Sequence, residues 1–543
     1  MPELTTNNSL TNQAKTKHGY SLVYWRYVLA ACSGLLMALP TIEPRLYILS
    51  WFGLVPLLFA VRDLSLRQCY LVSLASGLVL YLCSSYWVFP FISSMKGYGV
   101  ILSTLVSSLY WVYSAQAIAL VMLLWKLLSR NVVWERVLLF PLLLVATYSI
   151  FPSVLPVQFG LGQSHVLLAI QATDILGIYG LDFALALSNI CIFELLRLRY
   201  SKSSLLSFLL PVLFFSLWFS YGYFSLEDWE RRQQGWATKK IGLVQPNDAA
   251  SIAIPEPKTG YGWSYPPEME MTEQLVKAGA EVVFWPESRY KGYFDSGYVR
   301  AAYLHRVKQL KTPLIMQDLE YVNSRASDSG SNKTYNTLFM LSAKGELVSF
   351  YRKQKRIAFG EYIPLIDDSP AMRSWAQVII GDFLAKISEG KGRQTFTAAG
   401  MNIIPLICFE VIFPKFVADA VVQSPSGGVL LAASFDAWFG QTHAPFQHLA
   451  LSRIRAVENR LPLVHLINNG PSGVVMPSGR IIAQTEAFSK LAVTVDMPYS
   501  EHLEASVFST YPRAFIYCVY GVLLMMVIKR VYVRRLKLSL SKT

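Results

Sequence analysis

Pro405-Leu406-Ile407-Cys408-Phe409-Glu410 ends an apolar, strand-like run that begins at Met401, leaving a thiol at the edge of the run and a carboxylate two residues further on. Cys408 is the only cysteine between Trp229 and Pro512. A lone thiol at a strand end is either a small buried hydrophobe or a nucleophile, and the residues around it have to decide which.

From Lys240 to Val495, short β-rich runs alternate with helical patterns. Strands are expected at Lys240–Val244, Glu281–Trp285, Pro313–Gln317, Thr337–Ser342, Leu347–Tyr351, Met401–Ile407, Gly428–Ala432, Pro462–Ile467, Gly473–Met476, Arg480–Ala483 and Lys490–Val495. Helices are expected near Glu268–Ala278 and Tyr298–Leu310, after Glu410, and across His448–Asn459. Asn468-Asn469-Gly470 and Pro477-Ser478-Gly479 supply turns. This alternation is that of an α/β layered domain, and the sequence shows no internal repeat.

Three of these strand ends carry reactive groups. Trp285-Pro286 leads to Glu287, Leu347–Tyr351 leads through Arg352 to Lys353, and Ile403–Ile407 leads to Cys408. A carboxylate, an ammonium and a thiol at one edge of a sheet can converge on a pocket, which is where α/β domains place ligand sites. Each taken alone also fits a solvated loop residue or a core cysteine.

The rest of the chain is too apolar for a soluble protein. Over 543 residues the charged fraction is 15%, and the mean hydropathy is +0.36. Spans of roughly 20 apolar residues are expected at about 24–41, 45–61, 68–92, 99–128, 134–151, 167–196, 204–224 and 513–532. Basic residues mark every second connection: Arg62 and Arg67; Lys126, Arg130 and Arg136; Arg197, Arg199 and Lys202; then Lys529, Arg530, Arg534, Arg535 and Lys537. The positive-inside rule places these loops in the cytoplasm. The expected organisation is therefore a cytoplasmic tail (1–23), a seven-span bundle (24–224), an α/β domain outside the cytoplasm (225–512), an eighth span (513–532) and a basic cytoplasmic tail (533–543). The net charge of +14 thus serves membrane orientation and not a nucleic-acid partner.

Two further signals lead elsewhere. Leu29-Ala30-Ala31-Cys32 has the look of a lipoprotein processing site, but Arg26 leaves few apolar residues before the cysteine and the run continues to Leu39, so it belongs to an uncleaved first span. Cys32, Cys69, Cys83, Cys191 and Cys518 lie in apolar sequence without metal-ligand spacing, and His443 and His448 are poorly spaced for one helix face. No metal and no cofactor are expected.

Several motifs, taken together, are similar to those of a known family. Trp285-Pro286-Glu287-Ser288, Tyr335-Asn336-Thr337, Tyr351-Arg352-Lys353 with Phe359-Gly360-Glu361-Tyr362, Ile407-Cys408-Phe409-Glu410 and Asp436-Ala437-Trp438-Phe439-Gly440 resemble the signatures of the apolipoprotein N-acyltransferase family, a membrane-anchored branch of the nitrilase superfamily. Trp51–Leu57, Ser85–Val88 and Gly177–Leu181 resemble its membrane portion, so the likeness covers nearly the whole chain. The resemblance implies an eight-helix bundle joined to an αββα nitrilase-like sandwich. It also implies Glu287 as general base, Lys353 as catalytic lysine and Cys408 as nucleophile. Glu361, Glu410, Phe409 and Trp438 are implied in support, with a main-chain N–H near Phe409 as an oxyanion donor.

The activity so implied is ping-pong acyl transfer. A phospholipid donates its acyl chain to Cys408 as a thioester, and the α-amine of a diacylglyceryl-modified apolipoprotein collects it, in the bacterial inner membrane with the catalytic domain facing the periplasm and the protein acting as a monomer. A divergent amidase or acyltransferase acting on another amine, and a non-catalytic membrane receptor or transporter, are the rival readings. Asp174, Asp182 and Glu194 are the main intramembrane charges that the last would need.

The chain departs from the family pattern at Lys355-Arg356-Ile357-Ala358 (His-Leu-Val-Pro in the family), at Phe435 (Asn), at Arg289-Tyr290 and at Phe409 (Tyr). These changes bear on specificity more than on chemistry, and Lys355 and Arg356 would add positive charge near the mouth of the site. Stretch 370–390, with Trp375, Val378-Ile379-Ile380 and Phe383-Leu384, is more apolar than a loop requires. It reads either as a core helix or as a mobile arm that dips into lipid.

Overall fold

A computed structural model of the chain describes residues 7–129, 132–155, 158–197, 206–251, 253–288, 290–322, 333–358, 361–362, 369, 371–372, 374–375, 387–424 and 427–540, with side chains from Tyr24 to Val533. Among these, seven helices are long and apolar enough to cross a membrane: Tyr24–Ile42, Leu66–Ser84, Val100–Leu128, Val133–Ile150, Thr173–Arg197, Leu206–Gln233 and Ala514–Val533.

The span expected at 45–61 takes a different form. Pro44–Trp51 is a 3-10 helix and Val55–Ala60 a short α-helix. Pro44, Gly53 and Pro56 prevent one continuous helix, and a Cβ on Gly53 would lie 2.9 Å from Leu49 O. The segment still runs the length of the first helix. Thr41, at that helix's far end, meets Gln447, whereas Ala60 O accepts from Arg26 Nη1 at 3.0 Å near its start. Stretched 3-10 geometry lets so short a segment cover roughly 30 Å. Of the bundle's interior charges, Arg136 grips Glu194 at 2.7 and 2.9 Å, whereas Asp182 has no cation partner among the described residues: its Oδ1 accepts the Gly160 N–H at 2.6 Å and its Oδ2 is buried without a hydrogen-bond partner.

The α/β domain consists of two six-stranded sheets. The first runs β12 (Leu491–Tyr499), β1 (Ala237–Gln245), β2 (Val282–Phe284), β3 (Leu314–Val322), β4 (Lys333–Leu341), β5 (Leu347–Arg352). The second runs β6 (Phe396–Ala398), β7 (Met401–Ile407), β8 (Gly428–Ser434), β9 (Leu463–Ile467), β10 (Gly473–Val475), β11 (Ile481–Gln484). In both orders the pairings read antiparallel, parallel, parallel, antiparallel, antiparallel.

Period-2 alternation builds the layers. Ile241, Leu243, Val282, Phe284, Ile315 and Leu338 face the second sheet, in one core with Ile403, Leu406 and Leu430. Val244, Val283, Trp285, Leu314 and Phe339 point the other way, onto helices Pro267–Lys277 and Gly297–Leu310. With Pro414–Val422 and Ala444–Asn459 on the second sheet, the result is an αββα sandwich.

The seam with the bundle is polar and specific. Gln447 Nε2 donates to Thr41 O (3.1 Å) and Ser84 O (3.0 Å), and Trp87 Nε1 donates to Gln447 Oε1 at 3.0 Å. Arg460 holds Asp174 at 2.9 Å and Gln171 Oε1 at 2.8 Å. Helix Thr173–Arg197 is broken at Gly177 (φ 66°), where a Cβ would fall 2.4 Å from the Phe508 ring. A glycine is required there by both conformation and space.

Candidate active site

The sheets meet face to face, so strand ends from each reach a common place. Glu287 follows β2 and is buried: its Oε1 accepts from Asn336 Nδ2 of β4 at 2.6 Å, and its Oε2 accepts the Phe435 N–H, just after β8, at 3.0 Å. Gln317 of β3 holds Asn336 in turn, with Nε2 donating to Asn336 Oδ1 at 2.9 Å.

Lys353 is one residue beyond β5 and only 1% exposed. Its N–H donates to Asn336 O and its own carbonyl accepts from the Gly390 N–H, both at 2.8 Å, so the main chain is fixed on two sides. Its Nζ donates to Glu361 Oε1 at 2.8 Å, while Glu361 Oε2 accepts the Ile357 N–H at 2.9 Å.

Cys408 opens a 3-10 turn, Cys408–Ile412, directly after β7, and adopts φ 52°. A left-handed conformation at a non-glycine residue persists only where the surroundings impose it. Glu410 imposes it. Its carboxylate accepts from the Ile407 N–H (2.8 Å), the Gln354 N–H (2.7 Å), the Lys355 N–H (2.9 Å) and the Tyr351 hydroxyl (2.9 Å), stitching the end of β5 to the turn after β7.

The electrostatics follow from burial and neighbours. Burial pushes the Glu287 carboxyl above its ordinary value, against the lowering effect of Lys353. Burial likewise pushes the Cys408 thiol well up, reinforced by the Glu287 charge and opposed by Lys353. Burial pulls Lys353 down, but Glu361 first, then Cys408 and Glu287, outweigh it and hold the ammonium above its usual value. The resting site is therefore a thiol beside a carboxylate of raised basicity, with a fixed cation between acidic groups. Attack by Cys408 then requires proton transfer to a base.

Cys408 lies in the wall of a narrow cavity of about 120 Å³ between the two domains, lined among others by Met37, Leu80, Phe91, Phe159 and Ile357. Trp87 and Phe91 of the bundle clasp Phe439, with ring centroids at 5.0 and 5.3 Å. His448 shares the wall. Its Nδ1 is 2.9 Å from Asp436 Oδ2, and Asp436 Oδ1 accepts from Ser434 Oγ at 2.5 Å.

Glu287, Lys353, Cys408, Glu361 and Glu410 are thus brought together. Trp438 packs its ring on Phe435 at 5.7 Å, and Phe409 lines the cavity. Arg356, expected to charge the mouth, is engaged locally: Nη1 donates to Ile387 O at 3.3 Å, and the guanidinium lies over the Tyr362 ring at 4.4 Å. Phe435 in place of Asn leaves the contact with Glu287 intact, because that contact uses the main chain. In stretch 370–390, Trp375 is 64% exposed; Val378, Ile379, Ile380, Phe383 and Leu384 lie outside the described residues, as do Arg289, Phe359 and Gly360. Sequence reasoning missed the parts played by Asn336 and the Asp436–His448 pair. Asn336 stands in the Tyr335-Asn336-Thr337 motif, but only cross-strand pairing shows that it reaches Glu287.

Residues 33–191 match the apolipoprotein N-acyltransferase N-terminal domain, and residues 255–503 match the carbon-nitrogen hydrolase domain. The apolipoprotein N-acyltransferase of Geobacter metallireducens is 29% identical over 91% of this chain and 93% of that one. The enzyme of that name from Pseudomonas syringae pv. tomato is 27% identical over 79% of this chain and 82% of its own. Among solved structures, an amidase from Nesterenkonia sp. superposes with a TM-score of 0.34 and 17% identity, covering 52% of this chain and 96% of that one. A membrane bundle and a carbon-nitrogen hydrolase domain in one chain, in the order and over the length of these relatives, show that this multi-pass membrane protein belongs to the apolipoprotein N-acyltransferase family.

Proposed function

We propose that the chain transfers an acyl chain from a phospholipid to the α-amine of the diacylglyceryl-cysteine of bacterial lipoproteins, through a thioester on Cys408. The observation that carries this reading is the position of Cys408: at the wall of an apolar cavity shared by a membrane bundle and a nitrilase-like domain, with Glu287 and Lys353 around it. Both substrates are lipids of one leaflet. A site at the bilayer surface avoids the cost of extracting acyl chains into water, about 0.8 kcal/mol per CH₂.

In the first half-reaction the Cys408 sulfur attacks the ester carbonyl while its proton passes to Glu287. Lys353 and the Phe409 main-chain N–H stabilise the oxyanion. The ester C–O bond breaks, the departing lysophospholipid takes the proton from Glu287, and the thioester remains. In the second, the acceptor amine attacks the thioester, Glu287 takes an amine proton, the C–S bond breaks and the thiol is restored. Glu361 and Glu410 act as positioning residues, one anchoring Lys353 and the other the Cys408 turn. Charge alternation along the chain supports an inner-membrane location with residues 225–512 periplasmic.

The test is direct. Membranes containing the protein are incubated with acyl-labelled phospholipid, and a hydroxylamine-sensitive adduct is sought on Cys408 by mass spectrometry. A diacylated lipopeptide is then added. Acyl transfer to the peptide amine is expected; no adduct removes the thioester mechanism, and loss of the acyl group to water alone makes the chain a hydrolase.

A further inference from the structure

A second cavity, of about 460 Å³, opens on the other flank of helix Ala444–Asn459. His448 and Leu451 face the Cys408 cavity, Leu449 and Arg453 face the second, and Gln447 borders both. Thr41 and Leu161 are shared walls as well. The rest of the lining includes Pro40–Pro44 at the end of the first span and Ser164-His165, which puts the cavity at the α/β-domain end of the bundle, where apolar helix gives way to polar chain.

Arg453 sets this cavity apart. It is 8% exposed, and its Nε donates to Gly479 O at 2.5 Å. Among the described residues neither Nη group has a hydrogen-bond partner, and no carboxylate lies within ion-pair distance. The other deeply buried arginines are all matched: Arg136 with Glu194, Arg455 with Glu458, Arg460 with Asp174. Burial and then Arg480 pull Arg453 down only to about 10, so it stays cationic at neutral pH. Glu43 also faces the cavity, but its carboxylate is taken by Arg45 at 3.0 Å. His165, held at about 4 by burial and then by Arg453, is neutral and offers a donor or acceptor without charge. A buried guanidinium with free Nη groups facing open space is a site for an external anion.

We propose that this cavity binds the phosphate of a phospholipid headgroup through Arg453, with the lipid's glyceryl esters lying against the Gln447 partition beside the Cys408 cavity. A guanidinium fork matches two phosphate oxygens at once, and the cavity lies at the depth where bilayer headgroups are found. The assignment rests on the acyl-transfer reading in naming the donor's polar end, but the binding it describes can be measured without turnover.

Full-length protein carrying Cys408→Ala, in nonionic detergent, is titrated by native mass spectrometry with short-chain phosphatidylglycerol, with diacylglycerol of the same chains, and with inorganic phosphate. The phospholipid is expected to bind at least about 10-fold more tightly than the diacylglycerol. Adding Arg453→Gln removes that preference, and Arg453→Lys keeps it within about threefold. A protein without the preference before Arg453 is changed overturns the proposal, whatever the variants do. So does an undiminished preference in Arg453→Gln, or an equal loss for both lipids, which marks Arg453 as structural. Displacement of the phospholipid by an equal concentration of inorganic phosphate reassigns the site to the free ion and overturns the lipid assignment; no displacement supports it. Phosphate-dependent binding in a protein whose unsubstituted Cys408 never forms a thioester would leave this site standing while removing the acyl-transfer reading.

Discussion

The two sheets of the α/β domain repeat one strand pattern and use it in opposite ways. β1 and β7 hold corresponding places, yet β1 ends in Gln245 and β7 leads into Cys408. The Gln245 amide is saturated. Its Nε2 donates to Glu486 O and Ser489 O, both at 2.8 Å, and its Oε1 accepts from Ser472 Oγ (2.9 Å) and Thr485 Oγ1 (2.7 Å). Cys408 instead faces a cavity from a constrained turn. β2 and β8 correspond too, and there the two halves meet: the Phe435 N–H after β8 holds the Glu287 carboxylate after β2. The difference teaches that burial of polar groups does not by itself mark a site. A satisfied group locks the fold, and a group with unused capacity beside open space can react.

Breaking the reactive side of this comparison should have the largest effect. Cys408→Ala is expected to abolish the acyl adduct and lower transfer by roughly 10⁴-fold or more, with a melting temperature close to that of the unsubstituted protein; a retained adduct would place the nucleophile elsewhere. Glu287→Gln should cost about 10² to 10⁴-fold in kcat/KM. Because burial raises the Glu287 carboxyl, activity should fall as pH is lowered through a value above the ordinary carboxylate range, where the protonated acid no longer accepts the thiol proton. That acidic limb should be missing from the residual activity of Glu287→Gln.

Asn336→Leu sharpens the comparison. The Asn336 hydrogen bond favours the charged carboxylate, so its loss should move the acidic limb to higher pH and slow transfer about 10-fold near neutrality. An unmoved limb would mean that a different group titrates. The smallest effect on chemistry belongs to the saturated side. Gln245→Leu takes the donor from Glu486 O and Ser489 O and leaves the Ser472 and Thr485 hydroxyls only their longer contacts, to Ile467 O and Ser472 O at 3.2 Å. It should cost about 1–3 kcal/mol of stability, read by denaturation, while thioester formation per folded molecule stays within about twofold.

Much of the site is legible in the amino-acid sequence. Glu287, Lys353 and Cys408 each stand out as a polar residue just past an apolar strand, and the strands from β1 to β12 fall within a few residues of their expected places, except for the three-residue β6, which is too short to show a pattern. The resemblance implies Glu410 in support of the site, but how it would do so is not legible: four hydrogen-bond donors from Tyr351, Gln354, Lys355 and Ile407 occupy its carboxylate, and so it fixes a turn. Pro44–Ala60 reads as one span because its composition is apolar; its proline and glycine positions break the helix while neighbouring helices keep much of it buried. Asp174, an intramembrane charge by sequence, is held by Arg460, 286 residues further along the chain.

By itself the sequence determined what local periodicity and charge can encode: apolar spans with basic connections, alternating strands and helices, and three reactive residue types at strand ends. Each of these depends on a few adjacent residues. Only the tertiary structure decided that those strand ends converge, that the two sheets repeat a topology without repeating a sequence, and that Arg453, among the described residues, lacks the carboxylate partner that Arg136, Arg455 and Arg460 have. Those outcomes depend on which faces pack together and on hydrogen bonds between residues far apart in the chain, and no local pattern carries that information.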